Sequence, residues 1–399
     1  MSDFTIASFN VKNLIGADQE YYRFQSYTPE EYAWKEDWLA QQLVTLNADV
    51  VCFQEIFEEV ALRSTLDRAD RYGKENNAAA LPSEDKKYRH RAIFEKLGYE
   101  NYAQAAVAFA PNIHDGAPGH RRPGLAVVSR LGFVGEPEII QELDTPLDIP
   151  FADFKGENGG SYKAHRLSRP ILKVRVPVGD QLVTVFNCHL KSKLGEYIRD
   201  EDADFAAEAN LLQYDPVGRA LGSARSAMRR MLEAWVLRGA IVNSLRRGES
   251  VMVLGDFNDG EHAVSTEIIM GETPFKNYAW MLRHDAKHGG DRYSDQEAEK
   301  IAEDIAAVRL HSAEELFVRK SRRDMVYTTA FNGAFESIDQ ILMSRHFLPD
   351  NPERMGEMAY FSVLNDHLTD GSHPEAPYNK LASDHGQIMA HIHLKGALT

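Results

Sequence analysis

Short apolar runs that each end in polar residues recur along this chain. The clearest is Val251-Met-Val-Leu254, which is followed by Gly255 and then by Asp256 and Asn258. Four apolar residues with β-branched members are typical of a strand that is covered on both faces. Further strand-like runs lie at residues 5–11, 49–55, 124–129, 171–176, 182–189, 336–343 and 387–393.

Helical patterns separate these runs. Thr28-Pro-Glu-Glu31 has the residues of a capping box with proline at the first helical position, which predicts a helix to about residue 47. Ser294 and Glu297 predict a second capped helix at 295–310. Residues 56–97 and 193–247 are also helical in pattern. Residues 142–164 hold Gly, Pro and acidic residues without a period, which predicts a long surface loop.

The alternation of strands and helices extends through both halves of the chain without a clear linker. We therefore predict a single α/β domain over residues 1–399. Three long stretches are predicted insertions into this domain, at about 142–164, 193–247 and 265–295.

The composition is ordinary for a globular protein, with 43% hydrophobic and 26% charged residues among 399. The formal net charge of −15 argues against a passive DNA-coating protein, which needs a broadly basic surface. Cys52 and Cys188 lie inside apolar runs, so buried free thiols are favoured over a disulfide. Because the sequence shows neither a bilayer-length apolar run nor a signal-peptide pattern, we expect a cytoplasmic protein.

Side chains capable of acid–base chemistry follow several of the apolar runs. Asp256 and Asn258 are two residues apart, so an extended backbone presents both on one face. His189 and Lys191 repeat this spacing, and Glu55 directly follows its own run. Turn residues and a structural histidine are the ordinary alternatives. The repetition favours a shared site at the mouth of the strands, where α/β sheets place their ligands.

Two later segments extend the pattern. Asp339 is embedded in an apolar strand, where a charge needs a partner. Asp384 and His385 stand side by side just before the last strand, and Asn10 lies near the end of the first. For Asn10, a residue that ends a strand in a turn is the alternative.

Six of these segments together resemble the motif series of the endonuclease/exonuclease/phosphatase superfamily, and the stretch Tyr327-Thr-Thr-Ala-Phe-Asn-Gly333 resembles its bacterial nuclease branch. The six segments stand in the order of that series: Ser8-Phe-Asn10, Phe53-Gln-Glu55, Asn187-Cys-His-Leu-Lys191, Gly255-Asp-Phe-Asn258, Ser337-Ile-Asp339 and Ser383-Asp-His385. The resemblance implies a four-layer α/β sandwich, with two mixed β-sheets packed face to face and helices on the outside. It also implies a divalent-metal-dependent phosphodiesterase or phosphatase.

The resemblance also implies a metal site. Glu55 would be the principal ligand, with Asn10 and Asp384 on or near the ion. Hard oxygen ligands suit Mg²⁺ or Mn²⁺, with Ca²⁺ as a further alternative.

The same resemblance assigns the chemistry to five residues. His385 would be the acid–base histidine, oriented by Asp339. Asp256 and Asn258 would position the attacking water and the scissile phosphate. His189 would contact the phosphate or the leaving group. A histidine paired with a carboxylate holds one tautomer and favours the imidazolium.

Lys12, Lys191 and Arg225 are candidate phosphate contacts, with solvated side chains as the alternative. The sequence departs from the family after its last motif. Where the family usually has Asp or Tyr and then Pro after the histidine, this chain has Gly386 and Gln387. That change leaves the Asp–His pair but alters its neighbourhood.

We therefore predict a metal-dependent enzyme that cleaves phosphate esters by in-line attack of water, with a nucleic acid as the favoured substrate. The first alternative is a phosphatase or phosphodiesterase for a small phosphorylated molecule, such as an inositol phosphate, a nucleotide or a phospholipid head group. The second is a non-catalytic binding module. No protein partner is indicated by the sequence.

Overall fold

The computed structural model describes residues 3–22, 25–80, 98–112, 122–152, 160–198, 206–273, 293–318, 326–331, 333–369 and 379–395. The strands are β1 Asp3–Leu14, β2 Val50–Ile56, β3 Ala106–Asn112, β4 Arg122–Ser129, β5 Glu138–Pro150, β6 Ser161–Val178, β7 Gln181–His189, β8 Ser250–Asp256, β9 Leu310–Ser312, β10 Thr329–Phe331, β11 Ala334–Glu336, β12 Asp339–Ser344, β13 Gly356–Leu364 and β14 Gln387–Leu394. The α-helices are α1 Pro29–Leu46, α2 Glu59–Ala80, α3 Pro216–Arg246, α4 Val264–Met270, α5 Asp295–Val308 and α6 Ala313–Val318. Short 3-10 helices lie at Ala207–Ala209, Leu211–Gln213 and Arg345–Phe347.

Twelve of the strands form two mixed six-stranded sheets. The first sheet has the order β13-β14-β1-β2-β4-β3, and the second has the order β5-β6-β7-β8-β12-β9. Each sheet contains one parallel pair near its centre, β1 with β2 and β7 with β8, and its other pairs are antiparallel. The remaining strands, β10 and β11, form a small hairpin.

The two sheets pack face to face, with helices on both outer faces. Val50 of the first sheet and Met252 of the second belong to one buried cluster between the sheets. On the outer faces, Leu43 of α1 packs on the first sheet and Leu237 of α3 on the second. The fold is therefore the predicted four-layer α/β sandwich.

Burial on both faces explains why the central strands have continuous apolar runs. In β8, Met252 and Leu254 face the other sheet, whereas Val251 and Val253 face the layer of α3. Because alternate residues of a strand point to opposite faces, a strand covered on both sides needs an apolar residue at every position. Cys52 and Cys188 are buried free thiols, as predicted.

The predicted helix starts are confirmed. Thr28 and Ser294 cap α1 and α5, each in a reciprocal capping box with the glutamate three residues later. Asn47 ends α1 in the left-handed region, with φ of 43°. Within the described residues, the helices are all too short or too polar to span a bilayer.

The loop prediction for residues 142–164 is wrong over most of that range. β5 continues to Pro150 and β6 begins at Ser161. The ladder between them shifts register at Glu142 and again before Leu147, which breaks the alternation that marks a strand in the sequence. The helical pattern predicted for residues 193–247 is confirmed from Pro216, where α3 begins. The described residues before it hold only the two short 3-10 helices, so that part of the prediction is wrong. In the third predicted insertion α4 is described, and residues 199–205 and 274–292 lie outside the described residues.

Candidate active site

The ends of three neighbouring strands place three predicted site residues in a row. The register pairs His189 at the end of β7 with Asp256 at the end of β8. Asp256 is in turn paired with Asp339, the first residue of β12. Because β7 and β8 are parallel while β12 runs the other way, the end of the first two strands meets the beginning of the third. All three residues are buried.

The Asp256 carboxylate is the centre of this cluster. Its Oδ2 atom accepts a hydrogen bond from Asn10 Nδ2 at 3.1 Å and lies 3.2 Å from His189 Nε2. His385 Nε2 lies 3.8 Å from the same oxygen, and Asn258 Nδ2 lies 3.3 Å from it. Asn10 belongs to the first sheet and Asp256 to the second, so the cluster spans the sandwich.

His385 is held in the cluster by contacts on both sides. Its Nδ1 atom lies 2.8 Å from Asp339 Oδ2, so the proton on that nitrogen is donated to the carboxylate. The Ser383 hydroxyl donates to Asn10 O at 2.6 Å and accepts from His385 N at 3.0 Å. Ser383 therefore ties the loop that carries His385 to the end of β1.

The electrostatics of the cluster favour an ion pair. Burial alone would raise the pKa of Asp256, but the attraction of His189 and His385 outweighs it and holds that pKa well below its usual range. Burial alone would lower the pKa of His385, but Asp339 and Asp256 outweigh it and raise that pKa well above its usual value. The arrangement therefore presents an anionic carboxylate beside an imidazolium.

Glu55 joins the cluster through Asn10. Its Oε1 atom accepts from Asn10 Nδ2 at 3.4 Å, and its Oε2 atom accepts from Asn13 N at 2.9 Å. The Asn10 amide oxygen accepts from Lys12 N at 3.0 Å. In this orientation Asn10 directs its amide nitrogen, and not its oxygen, towards the carboxylates.

Asp384 lies at the rim. Its side chain is 54% exposed, and its carboxylate lies 3.6 Å from Lys12 Nζ. Among the described residues, the acidic and histidine side chains with the mutual spacing of metal ligands are Asp256, Asp339 and His385. The predicted set of Asn10, Glu55 and Asp384 is therefore adjacent to this group and not identical with it.

Backbone strain is concentrated at this site. Lys12, Asn13, Glu55 and Asn258 all have positive φ, at 53°, 58°, 66° and 53°. Non-glycine residues in the left-handed region are uncommon and carry an energetic cost. Gly255 has a φ of 143°, and a Cβ atom there would lie 1.9 Å from Cys188 O. The site thus needs glycine where β8 lies closest to β7.

The three predicted phosphate contacts are placed differently from one another. Lys12 lies at the rim beside Asp384. Lys191 lies beyond the end of β7, with Nζ 3.3 Å from Leu194 O and 4.0 Å from Glu196. Arg225 is not brought to the cluster: its guanidinium is fully buried, 2.8 Å from Glu208 and 2.7 Å from Phe151 O. The helix packs that side chain inward, away from the cluster.

Several residues that support the site were not predicted. Gln54 Nε2 donates to Asn187 Oδ1 at 2.7 Å, and Asn187 Nδ2 donates to Phe53 O at 2.9 Å, which links the two sheets under the cluster. Both lie within the motif segments, so the signal was present. Glu233 of α3 accepts from Lys191 N at 2.9 Å. Its helical position gave no indication of that contact.

Comparison with known proteins gives a match over nearly the whole chain. The model of the Endonuclease/Exonuclease/phosphatase family matches residues 7–385. The curated proteins searched contain no match.

Similar solved structures are distant in sequence. They include an endonuclease/exonuclease/phosphatase family protein from Leptotrichia buccalis C-1013-b, with 11% identity, 98% of this chain and 100% of that chain covered, and a TM-score of 0.45. A humanized D. rerio TDP2 has 12% identity, 98% and 99% coverage, and a TM-score of 0.46. The mannosyl-6-phosphatase Bt3783 of Bacteroides thetaiotaomicron VPI-5482 has 12% identity, 98% and 99% coverage, and a TM-score of 0.47.

Proposed function

Because the chain belongs to the endonuclease/exonuclease/phosphatase family, we propose that it is a divalent-metal-dependent phosphodiesterase whose substrate is a nucleic acid. One observation carries the proposal. The buried Asp256 carboxylate lies within hydrogen-bond distance of Asn10 and His189, and His385 faces it with Asp339 behind. The cluster thus combines a carboxylate anion, an imidazolium and side-chain amide donors. These groups together suit the hydrolysis of a phosphate ester.

The residues present fit a hard divalent cation. Glu55 offers two carboxylate oxygens at the edge of the cluster. Near the end of β1, the Asn13 amide oxygen is buried without a hydrogen-bond partner among the described residues. Glu55 would hold the ion, with Asp384 and a reoriented Asn10 beside it, and Mg²⁺ or Mn²⁺ suits such oxygens. When bound, the cation neutralises charge on the phosphate and stabilises the leaving oxygen.

The side chains of the chain supply the remaining steps. Asp256, an anion at neutral pH, accepts a hydrogen bond from the attacking water and orients it, with Asn258 alongside. The imidazolium of His385 donates a hydrogen bond to a phosphate oxygen, and Asp339 keeps the ring in place. His189 contacts the phosphate or the leaving group. The water oxygen bonds to phosphorus as the bond from phosphorus to the leaving oxygen breaks. The proton that the water loses passes to the Asp256 carboxylate, and the leaving oxygen takes up a proton from solvent.

A substrate panel tests this proposal. Plasmid DNA, single-stranded DNA, RNA, inositol phosphates and bis(p-nitrophenyl) phosphate are offered with Mg²⁺ or with EDTA. We expect cleavage of nucleic acid with Mg²⁺, loss of cleavage in EDTA, and loss in Asp256→Ala. Asp180→Asn, an exposed aspartate in the turn between β6 and β7, is the matched control and should retain full activity. Full activity of Asp256→Ala, or in EDTA, would contradict the mechanism.

A small phosphorylated substrate is the second candidate, and the net charge of −15 favours it because duplex DNA is repelled by an acidic surface. A salt titration separates the two candidates. Nucleic-acid cleavage should weaken steeply as salt rises, because binding releases counterions, whereas turnover of a small ester should change little. Binding of nucleic acid without cleavage of any ester would instead support a non-catalytic module.

A further inference from the structure

A cavity of about 480 Å³ lies beside the proposed catalytic cluster, and five of its lining side chains are cationic: Arg122, Arg166, Arg169, Lys191 and Arg229. Such a concentration is unexpected in a chain with a net charge of −15. We propose that this cavity, the arginine pocket, binds a second phosphate of the substrate, separate from the scissile one. This inference rests on the proposed function, and it narrows the substrate of the enzyme to nucleic acids or small molecules that carry at least two phosphates.

A single carbonyl connects the pocket with the catalytic cluster. Arg169 Nη1 donates to Leu190 O at 3.1 Å, and Asn258 Nδ2 donates to the same oxygen at 3.0 Å. Leu190 directly follows His189, and Lys191, the next residue, lines the pocket. The two sites therefore lie on either side of the end of β7. When the scissile phosphate of a substrate is bound at Asp256, a neighbouring phosphate of the same substrate would reach the pocket.

The positive charge of the pocket is only partly neutralised. Glu142 pairs with Arg166 at 3.3 Å, and Glu196 and Glu233 pair with Arg229 at 2.8 and 3.4 Å. Five cations and three carboxylates leave the pocket with a net charge of about +2. Arg122 and Arg169 form no ion pair with another described residue. The Arg169 Nε atom is buried without a hydrogen-bond partner among the described residues. A guanidinium group that has no carboxylate partner and an N–H without a hydrogen bond binds phosphate oxygens well.

An aromatic side chain completes the pocket. Tyr22 lines it, and the Tyr22 ring packs edge-on against Phe57 at a centroid distance of 5.8 Å. Burial raises the pKa of Tyr22, and the nearby Glu55 carboxylate raises it further. Aromatic rings beside cations stack nucleobases while the cations bind the backbone. The volume lies within the range of about 300–1,000 Å³ typical of ligand sites.

The kinetic test compares substrates that differ by one phosphate. Thymidine dinucleotides with and without additional terminal phosphates are offered to the wild-type enzyme, with bis(p-nitrophenyl) phosphate as a substrate that has no second phosphate. We expect kcat/KM to rise at least 10-fold when a flanking phosphate is added. In Arg122→Gln and Arg169→Gln this preference should fall by about 10-fold, mainly through KM, and Arg169→Lys should restore part of it. Arg63→Gln, on the exposed face of α2, is the control and should keep the preference.

Two kinetic outcomes overturn the inference while leaving the proposed function intact. One is a wild-type enzyme that is indifferent to the flanking phosphate. The other is a uniform loss of kcat for every substrate in the arginine variants, which indicates a structural role. Thermal melting of each variant identifies those that fail to fold. Arg122 is the exposed first residue of β4, so Arg122→Gln is the variant that we expect to disturb folding least.

A binding experiment keeps the inference testable if no hydrolysis is found. A fluorescent oligonucleotide is titrated into Asp256→Asn with and without Arg122→Gln, in EDTA. At least a 10-fold loss of affinity in the double variant supports the pocket, and equal affinities overturn it. Competition with unlabelled oligonucleotide and with an inositol bisphosphate distinguishes the two sources of a second phosphate, and we expect the oligonucleotide to compete at the lower concentration.

Discussion

His385 Nδ1 lies 2.8 Å from Asp339 Oδ2, and this contact orients the imidazole so that Nε2 faces Asp256 at 3.8 Å. Asp339 is itself fixed by its strand, where its backbone N–H donates to the Thr328 hydroxyl at 3.1 Å and its register partner is Asp256. A side chain on a loop is thus held by one at the beginning of a core strand. Precise positioning of this kind is what acid–base catalysis requires.

Replacement of Asp339 by asparagine tests that relationship. The amide cannot stabilise the imidazolium as the carboxylate does, so we expect kcat on bis(p-nitrophenyl) phosphate to fall by roughly 10²–10⁴-fold, with a smaller change in KM. Steady-state kinetics provide the measurement, and Asp180→Asn is the matched control. A kcat within twofold of wild type would show that the pair has no part in the reaction.

Replacement of Glu55 by glutamine tests the proposed metal ligand. We expect the Mg²⁺ concentration for half-maximal activity to rise by about 10-fold or more, because a neutral amide binds a hard cation more weakly than a carboxylate does. Stabilisation by Mg²⁺ provides a readout independent of activity: the increase in Tm with added Mg²⁺ should shrink. The control is Glu75→Gln on the exposed part of α2. Identical Mg²⁺ curves for Glu55→Gln and wild type would exclude Glu55 as the principal ligand.

Lys35 predicts a pH dependence of stability. Its side chain is fully buried, with Nζ 2.9 Å from Val11 O and 3.1 Å from Leu381 O. Burial, with a further contribution from Lys12, lowers the pKa of Lys35 from 10.5 to about 7. Below pH 7 the ammonium is charged in both folded and unfolded chains, and the folded chain bears the full cost of its burial. Between about pH 7 and 10.5 the folded chain releases the proton first, so that cost declines as pH rises.

Lys35→Met therefore stabilises the chain, relative to wild type, more at pH 6 than at pH 9. The difference between the two pH values should be about 3 kcal/mol, from roughly two pH units within the window. The hydrogen bonds to Val11 and Leu381 are stronger for the ammonium than for the neutral amine, and this difference is already contained in the folded-state pKa. Urea unfolding at each pH measures the effect of Lys35→Met. If the unfolding free energies of Lys35→Met and wild type differ by the same amount at both pH values, the lowered pKa of Lys35 is refuted.

Variants of Arg225 test whether this residue stabilises the fold or binds the substrate. Because its guanidinium forms a buried pair with Glu208, Arg225→Met should destabilise the chain by about 3–5 kcal/mol through the unpaired carboxylate. The double variant with Glu208→Gln should recover much of that loss. Folded enzyme of the double variant should have a wild-type KM for DNA, measured at low temperature. A raised KM in stably folded protein would restore the original prediction that Arg225 binds phosphate.

Two glycines on different elements give opposite expectations. Gly255→Ala places a Cβ atom 1.9 Å from Cys188 O at a φ of 143°, so we expect destabilisation on the order of 3 kcal/mol or more. Gly239 lies in α3 with open space around its Cα, and Gly239→Ala should stabilise by about 0.5–1 kcal/mol through helix propensity. Thermal unfolding of both variants compares them. Equal effects would show that the close approach of β8 to β7 is not under steric constraint.

Local patterns were sufficient for the α/β class and the helix starts. The motif series identified the family, and the two-sheet fold followed from that resemblance. The capping boxes at Thr28 and Ser294 involve residues three apart, so neighbours in the sequence determine them. The central strands are buried on both faces, so each of them consists of consecutive apolar residues that can be recognised in the sequence. Polar residues at the ends of those runs identified the side chains of the cluster, although their roles remain predictions.

Tertiary structure alone decided which of those side chains meet. The contact of Asn10 with Asp256 joins residues 246 apart across two sheets, and the burial of Arg225 depends on which face of α3 packs inward. The arginine pocket draws its cations from two strands, the segment that follows β7 and a helix, which are far apart in the sequence. Sequence periodicity reports whether a residue is buried, because burial repeats with the backbone. It does not report the partner, because the partner is chosen by how distant elements pack.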